Sequence, residues 1–422
     1  MKFKKKVLKN GMRVITIPMK GNPAVSVFVL VEAGSKYETK EINGLSHFLE
    51  HMVFKGTVRR PVASDISREF DSLGSQHNAF TSQEFTGYYA KVHPKHVSKI
   101  IDVLSDMYLN PLFEAKEIEK EKGVIVEEIN MYEDMPQRHI NDLIMQLVYG
   151  DQPAGWSILG PNKNIKAIKR EDFINYREKH YVAKATTVVV SGNFNEKKVL
   201  KKISEAFKNI STGRKYSKEK VIEKQNKPKV LVKFKETDQT HMILGFRAYD
   251  IFDKRTPVLD LLATILGGGM SSRLFDKLRN QMGVCYYVRA FGDQYTDHGM
   301  FGVASGVDNT RVKEVISAIL DELKKLKNEI VSEEELKKAK EYSIGNMFLT
   351  LEPSDDIAQF YGAQEILRQK IKTPEEIVKE VRKITARDIQ KVARDIFQNK
   401  KLNLALIGRF KESGGFEQIL GV

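Results

Sequence analysis

TTVVVSGNF, residues 186–194, is a continuous β-branched run closed by a glycine, and LNLALIGRF, residues 402–410, repeats its plan late in the chain. The two glycines, Gly192 and Gly408, stand 408 − 192 = 216 positions apart. A period of that length in 422 residues points to an ancient internal duplication, and the flanking segments match in order. RVITI, AVSVFVLVEAG and FTGYYAKV precede the first run; KVLVKF, HMILGFRA and GMFGVAS precede the second. Each half also holds an amphipathic helix followed by an acidic-basic one. Val97, Ile100, Ile101, Leu104 and Met107 share a face before EAKEIEKEKGVIVEEINM, as Val312, Val315, Ile316, Ile319 and Leu323 do before SEEELKKAKEYSIGNM. Strands followed by helices in each half predict an α+β protein of two homologous domains, each an antiparallel sheet with helices packed on one face. KNISTGRKYSKEKVIEKQNKP, residues 208–228, is Lys-rich and poor in apolar residues, and reads as an exposed linker between domains 1–207 and 229–422.

A chain of 422 residues is too long for one ordinary core, which agrees with two domains. Lys+Arg 69 minus Asp+Glu 55 gives a formal net charge of +14. The basic residues are interleaved with glutamates along the whole chain, the pattern of a solvated surface; neither a nucleic-acid nor a membrane partner is expected. No apolar run reaches the ~20 residues of a membrane span. MKFKKKVLKNGMRVITI has no signal-like apolar core and reads as a strand entered through a turn at Asn10-Gly11. The single cysteine, Cys285, sits in an apolar run, reads as buried, and excludes both a disulfide framework and a cysteine-rich metal site; a cytoplasmic protein is expected.

HFLEH, residues 47–51, places two histidines four apart with a glutamate before the second, among apolar neighbours. On a helix His47 and His51 lie one above the other and direct their imidazoles at one point, a metal-ligand spacing. Glu50 projects beside them, where a carboxylate accepts a proton from a metal-activated water. A His-x-x-x-His pair alone more often marks ordinary surface or core histidines. The duplication weighs against that reading here. Laying Glu117 on Glu335, an offset of 335 − 117 = 218, places His47, Glu50 and His51 opposite Ile265, Gly268 and Gly269, and Glu128 opposite Asn346. The second half keeps the plan and lacks every charged member, so the set serves chemistry in one half. A third ligand has to come from elsewhere. EKEKGVIVEEI offers carboxylates on a helix: Glu121 and Glu128, seven apart, share a face, and Glu127 points about a quarter-turn away.

GLSHFLEHMVFKGT and EKGVIVEEINMYEDMP together resemble the two motif elements of the pitrilysin/insulinase-type inverted-motif zinc peptidases, in particular their short processing-peptidase-like branch, and the resemblance covers nearly the whole chain. It implies one Zn2+ per chain, with His47 and His51 as ligands and Glu50 as general base. It places the third ligand at Glu128, 128 − 51 = 77 positions on, with Glu127 as the rival, and a supporting acid seven residues earlier at Glu121. GSQHNAFTSQEFTGYYAKV resembles the family's edge strand, on which a peptide is laid by β-augmentation, with Asn78 and Ala79 nearest the scissile bond. Without the resemblance, Asn78 equally reads as the turn before a strand. LRNQMGVCYYV resembles the family's Arg-Tyr pair, implying that Arg279 and Tyr286 hold the substrate backbone and stabilise the oxyanion. By themselves, Arg279 reads as a helix-end surface residue and Tyr286 as core.

The expected function is therefore a zinc metalloendopeptidase acting on peptides or short unfolded segments. Its alternatives are a dedicated processing peptidase that removes leader segments, or a scaffold that holds peptides without cutting them. Longer relatives carry four such domains in one chain, so a homodimer forming a closed chamber is expected. The glycines Gly267, Gly268 and Gly269 lack the Gly-Lys-Ser/Thr ending of a phosphate loop, which speaks against nucleotide binding. His93 and His96, separated by Pro94 and Lys95, read as surface residues of a strand-to-helix turn.

Overall fold

The computed structural model describes residues 2–411 and 415–422. Its eleven strands form two sheets. The first contains β1 (Lys4–Val7), β2 (Arg13–Pro18), β3 (Val25–Val31), β4 (Gln76–Thr81), β5 (Thr86–Val92) and β6 (Thr186–Gly192), in the order β1-β2-β6-β3-β5-β4. The second contains β7 (Lys229–Phe234), β8 (Gln239–Ala248), β9 (Cys285–Gln294), β10 (Gly299–Asp308) and β11 (Leu402–Gly408), in the order β7-β11-β8-β10-β9. Removing β1 leaves the same order twice. The pairings match as well: β2 with β6 and β7 with β11 are parallel, and every other pair is antiparallel. The sheets are thus mixed where the sequence predicted antiparallel ones, because the last strand of each repeat returns after several helices to lie beside the first.

β6 and β11, the two runs that reveal the repeat, are buried at every residue. A strand buried on both faces needs cover on both. In the first sheet, one face carries the repeat's own helices, with Val25, Val27, Val29 and Val31 packed into a core shared with Ile100, Leu104 and Phe48. The opposite face receives the helix Ser354–Arg368, from the second half of the sequence, against β2, β3 and β6. Its Ile357, Ala358, Tyr361 and Ile366 are buried, and Ser354 Oγ meets Ser26 Oγ at 2.8 Å. Gly362 lies on the packed face, where a Cβ would come within 2.5 Å of Leu30 Cδ1. The second sheet mirrors this arrangement. The helix Pro136–Tyr149, from the first half, packs on β7, β8 and β11, with Ile140, Ile144 and Val148 against Ile243, Ala405 and Ile407.

The α+β plan of two like domains holds, with one further helix on the second face of each sheet. The compact units accordingly depart from the boundaries 1–207 and 229–422. One unit comprises Met1–Asn130, Ser157–Glu219 and Leu349–Thr373; the other comprises Met131–Trp156, Lys220–Phe348 and Pro374–Val422. The 208–228 segment is largely exposed coil, yet it is tied down along its length. In the first unit Lys215 pairs with Glu32, and Lys218 Nζ lies 3.3 Å from Glu84. In the second, Glu223 pairs with Arg247 at 3.3 Å and the Gln152 side chain bonds both backbone groups of Ile222.

Candidate metal centre

The HFLEH stretch forms the helix Leu45–Met52 in the first unit. Eight residues are too few to hold a helix in water unaided. Leu45, Phe48, Leu49 and Met52, at i, i+3, i+4 and i+7, are buried in the core, which leaves His47, Glu50 and His51 together on the remaining side. The amino end is fixed by two devices. Gly44 takes φ 103°, a left-handed conformation, with its Cα so close to the Leu159 carbonyl that a Cβ would approach to 2.5 Å. Glu38, 4 % exposed, accepts from Ser46 N at 2.6 Å, Gly44 N at 2.8 Å and Asn43 Nδ2 at 3.0 Å. It meets the donors that a helix terminus leaves without intrahelical partners. The Ser46 hydroxyl adds a 2.7 Å bond to Tyr176, which itself donates to the Gly34 carbonyl.

The helix Ala115–Asp134 supplies the facing carboxylates. Ile118, Glu121, Ile125 and Ile129 form its buried stripe, and Glu128 borders that stripe. Glu128 Oε2 lies 3.5 Å from His47 Nε2 and 3.4 Å from His51 Nε2. Bonds of about 2.0–2.1 Å in a tetrahedral zinc site place neighbouring ligand atoms roughly 3.4 Å apart, so the donor set fits that ion in type and spacing. Glu127 is exposed and does not join the cluster. Glu121 Oε1 receives His51 Nδ1 at 2.9 Å, and its other oxygen lies 2.6 Å from Lys55 Nζ. His47 Nδ1 is buried with no hydrogen-bond partner among the described residues.

The electrostatics distinguish the two imidazoles. Burial, reinforced by the neighbouring His51 charge, holds His47 down to about 4, and Glu128 opposes this without reversing it. His47 is therefore neutral at pH 7, the form that binds metal. Burial also acts to lower His51, but the hydrogen bonds the ring donates to Glu121 and Glu128 outweigh it and raise the ring to about 9. The hydrogen bond from His51 keeps Glu128 below the usual carboxylate range. Glu121 is also held low, by His51 and Lys55 against the cost of its own burial. Glu50 is pushed up by burial, while a hydrogen bond from Thr81 and the His51 charge resist that rise.

β4 is the outermost strand of its sheet, paired only with β5 among the described residues. Asn78 is exposed on it, opposite Tyr89, and its Oδ1 accepts from Ala79 N at 2.9 Å; Ala79 is buried against the core. Both residues lie within the strand, so Asn78 is not its preceding turn. Arg279 and Tyr286 belong to the second unit. Arg279 lies in a π-helical turn, Asp276–Gln281, and donates from Nη1 to the Cys285 carbonyl at 2.8 Å. Tyr286 follows on the edge strand β9 and is 65 % exposed, which corrects its reading as core. Cys285 is buried, as expected. Sequence reading missed Glu38, Lys55 and Thr81, three polar residues whose partners are distant in sequence or outside any recognisable spacing.

The family profile of the insulinase family (peptidase family M16) matches residues 13–162, and that of the peptidase M16 inactive domain matches residues 167–342. The second match covers much of the half that lacks the His-Glu set. An uncharacterized zinc protease of Bacillus subtilis (strain 168) is 35% identical over 409 residues, 96% of this chain and 98% of that protein. One from Rickettsia felis is 35% identical over 399 residues, 93% and 94% of the two chains. The crystal structure of a protease from Helicobacter pylori superposes with a TM-score of 0.91 at 22% identity, over 96% of this chain and 99% of that one, and shows the same fold. The chain belongs to the insulinase family of peptidases, peptidase family M16.

Proposed function

We propose that this protein is a zinc metalloendopeptidase that hydrolyses peptides or short unfolded segments. One observation carries the reading: His47 Nε2 and His51 Nε2 lie 3.5 and 3.4 Å from Glu128 Oε2, one ligand atom of each of the three residues lies within 4.8 Å of the others, and Glu50 stands on the same helix side. The three would hold the metal, and Glu121 would orient His51 through Nδ1. When bound, zinc supplies Lewis acidity that polarises the scissile carbonyl and acidifies water. Glu50 takes the proton of the attacking water and returns it to the leaving amine. Asn78 and Ala79 on the edge strand β4 hold the peptide through main-chain hydrogen bonds, which tolerates varied side chains. Arg279 and Tyr286 act in a homodimer that forms a closed chamber. A reducing, cytoplasmic setting accords with the single, buried thiol of Cys285.

The test is the zinc content of purified protein together with hydrolysis of a quenched peptide before and after chelation. One zinc per chain is expected, with activity lost on chelation and restored by zinc. E50Q should keep its zinc and lose hydrolysis, because the amide accepts no proton while both imidazoles remain. Hydrolysis that survives in metal-free protein, or an E50Q variant that loses metal and activity together, would overturn this assignment of roles.

A further inference from the structure

The geometry points to Thr81 as the positioning residue for Glu50: its hydroxyl, at the end of β4, donates to Glu50 Oε2 at 2.6 Å and sets the direction of the base relative to a peptide on that strand. This rests on the zinc-peptidase reading above and adds the device that aims its base. A glutamate on a helix keeps three side-chain torsions, so the helix alone does not fix where the carboxylate points. Among the described residues, Thr81 is the one hydrogen-bond donor to Glu50. A hydroxyl has a single proton. The Ser46 carbonyl, 3.5 Å from the same oxygen, is the poorer acceptor, so the proton belongs to Glu50. Among the described residues the other carboxylate oxygen, Oε1, has no donor, and it stays available to a water proton.

Threonine suits this task better than a longer polar residue. Its β-branch restricts χ1, and its backbone is fixed by pairing with Thr86 on β5. Ala79 precedes it by two residues and therefore faces the same side of the strand, about 7 Å away along it. A peptide added to β4 in register with Asn78 and Ala79 is thereby held in register with the oxygen that takes the proton. Substrate strand and base are joined by one hydroxyl.

T81V removes the hydroxyl at constant shape. It should leave zinc content and KM unchanged while lowering kcat about 10- to 100-fold, the usual scale for a supporting hydrogen bond at a metal site. T81S should return kcat to within about threefold of wild type. If the valine fails to fold, the same comparison is made between T81A and T81S. A readout independent of catalysis is a urea double-mutant cycle of T81V with E50A on metal-free protein, in which the two substitutions should be non-additive because they share one contact. A T81V enzyme with full zinc and wild-type kcat overturns the proposal, as does one changed only in KM. A wild type that cleaves no peptide instead sinks the peptidase reading, and the unfolding cycle then still judges the Thr81–Glu50 contact.

Discussion

His51 Nδ1 sits 2.9 Å from Glu121 Oε1, and the opposite oxygen of that carboxylate lies 2.6 Å from Lys55 Nζ. Lys55 is one turn beyond His51, so a single short segment supplies both the imidazole and the cation that keeps its acceptor ionised. E121Q should weaken zinc binding about 10- to 100-fold, since the amide leaves the ring less well oriented and less basic. K55M should act in the same direction and more weakly. Competition with a chelator of known affinity measures both. Wild-type affinity in E121Q would show that the contact does not orient the ligand.

The two adjacent glutamates make a sharper comparison. Glu128 faces both histidines, whereas Glu127 is exposed. E128Q should lower zinc occupancy severely, and E127Q should leave it near one per chain. Zinc stoichiometry on the two purified proteins decides, and the reverse order would move the ligand to Glu127.

The metal helix was legible because its signal is local. HFLEH, the apolar stripe around it and the seven-residue spacing of Glu121 and Glu128 all follow from helical periodicity. The duplication was legible because strands buried on both faces leave long β-branched runs that survive divergence. The exchange of helices was not. Pro136–Tyr149 and Ser354–Arg368 each present an apolar face, but periodicity tells only that a helix is covered, never by which sheet. Glu38 and Thr81 were invisible for a related reason. Their importance comes from hydrogen bonds to groups 5 to 8 and 31 positions away, and no repeating pattern encodes those.

Gly362 tests the exchange directly. A side chain there meets Leu30 and Val189 inside a fully buried layer. G362L should therefore destabilise the protein by about 1–3 kcal/mol, the cost of overpacking. On an exposed helix the same change would stabilise, since glycine is the poorer helix former by about 1 kcal/mol. The sign of the shift in the urea midpoint thus tells whether this helix is seated on the first sheet.

Glu38 gives a pH dependence of known sign. Burial raises its carboxyl from 4.5 to about 7, against the hydrogen bonds from Ser46, Gly44 and Asn43. The folded state then binds a proton that the unfolded state has released. The associated stability is fully present below pH 4.5 and is lost as pH rises through about 7. E38Q cannot ionise and lacks this loss. Urea unfolding of metal-free protein at pH 5 and pH 8 should show wild type losing ground to E38Q at the higher pH. A wild type that gains instead would mean the fold prefers the carboxylate.

The proposed chamber is tested by mixing two defects. Zinc on His47, His51 and Glu128 of one chain would face Arg279 and Tyr286 of the partner subunit, so each site draws on two chains. E50Q and the double variant R279A/Y286F should each be nearly inactive alone. In a mixed dimer, one site collects both defects, while the other combines an intact base with an intact Arg-Tyr pair. Mixed dimers isolated by two different tags should recover about half of wild-type activity, provided the two sites turn over independently. Mixed dimers that stay inactive would place the pair in cis with its own base, a fully active R279A/Y286F would remove the pair from the reaction, and a strictly monomeric wild type would exclude the arrangement outright.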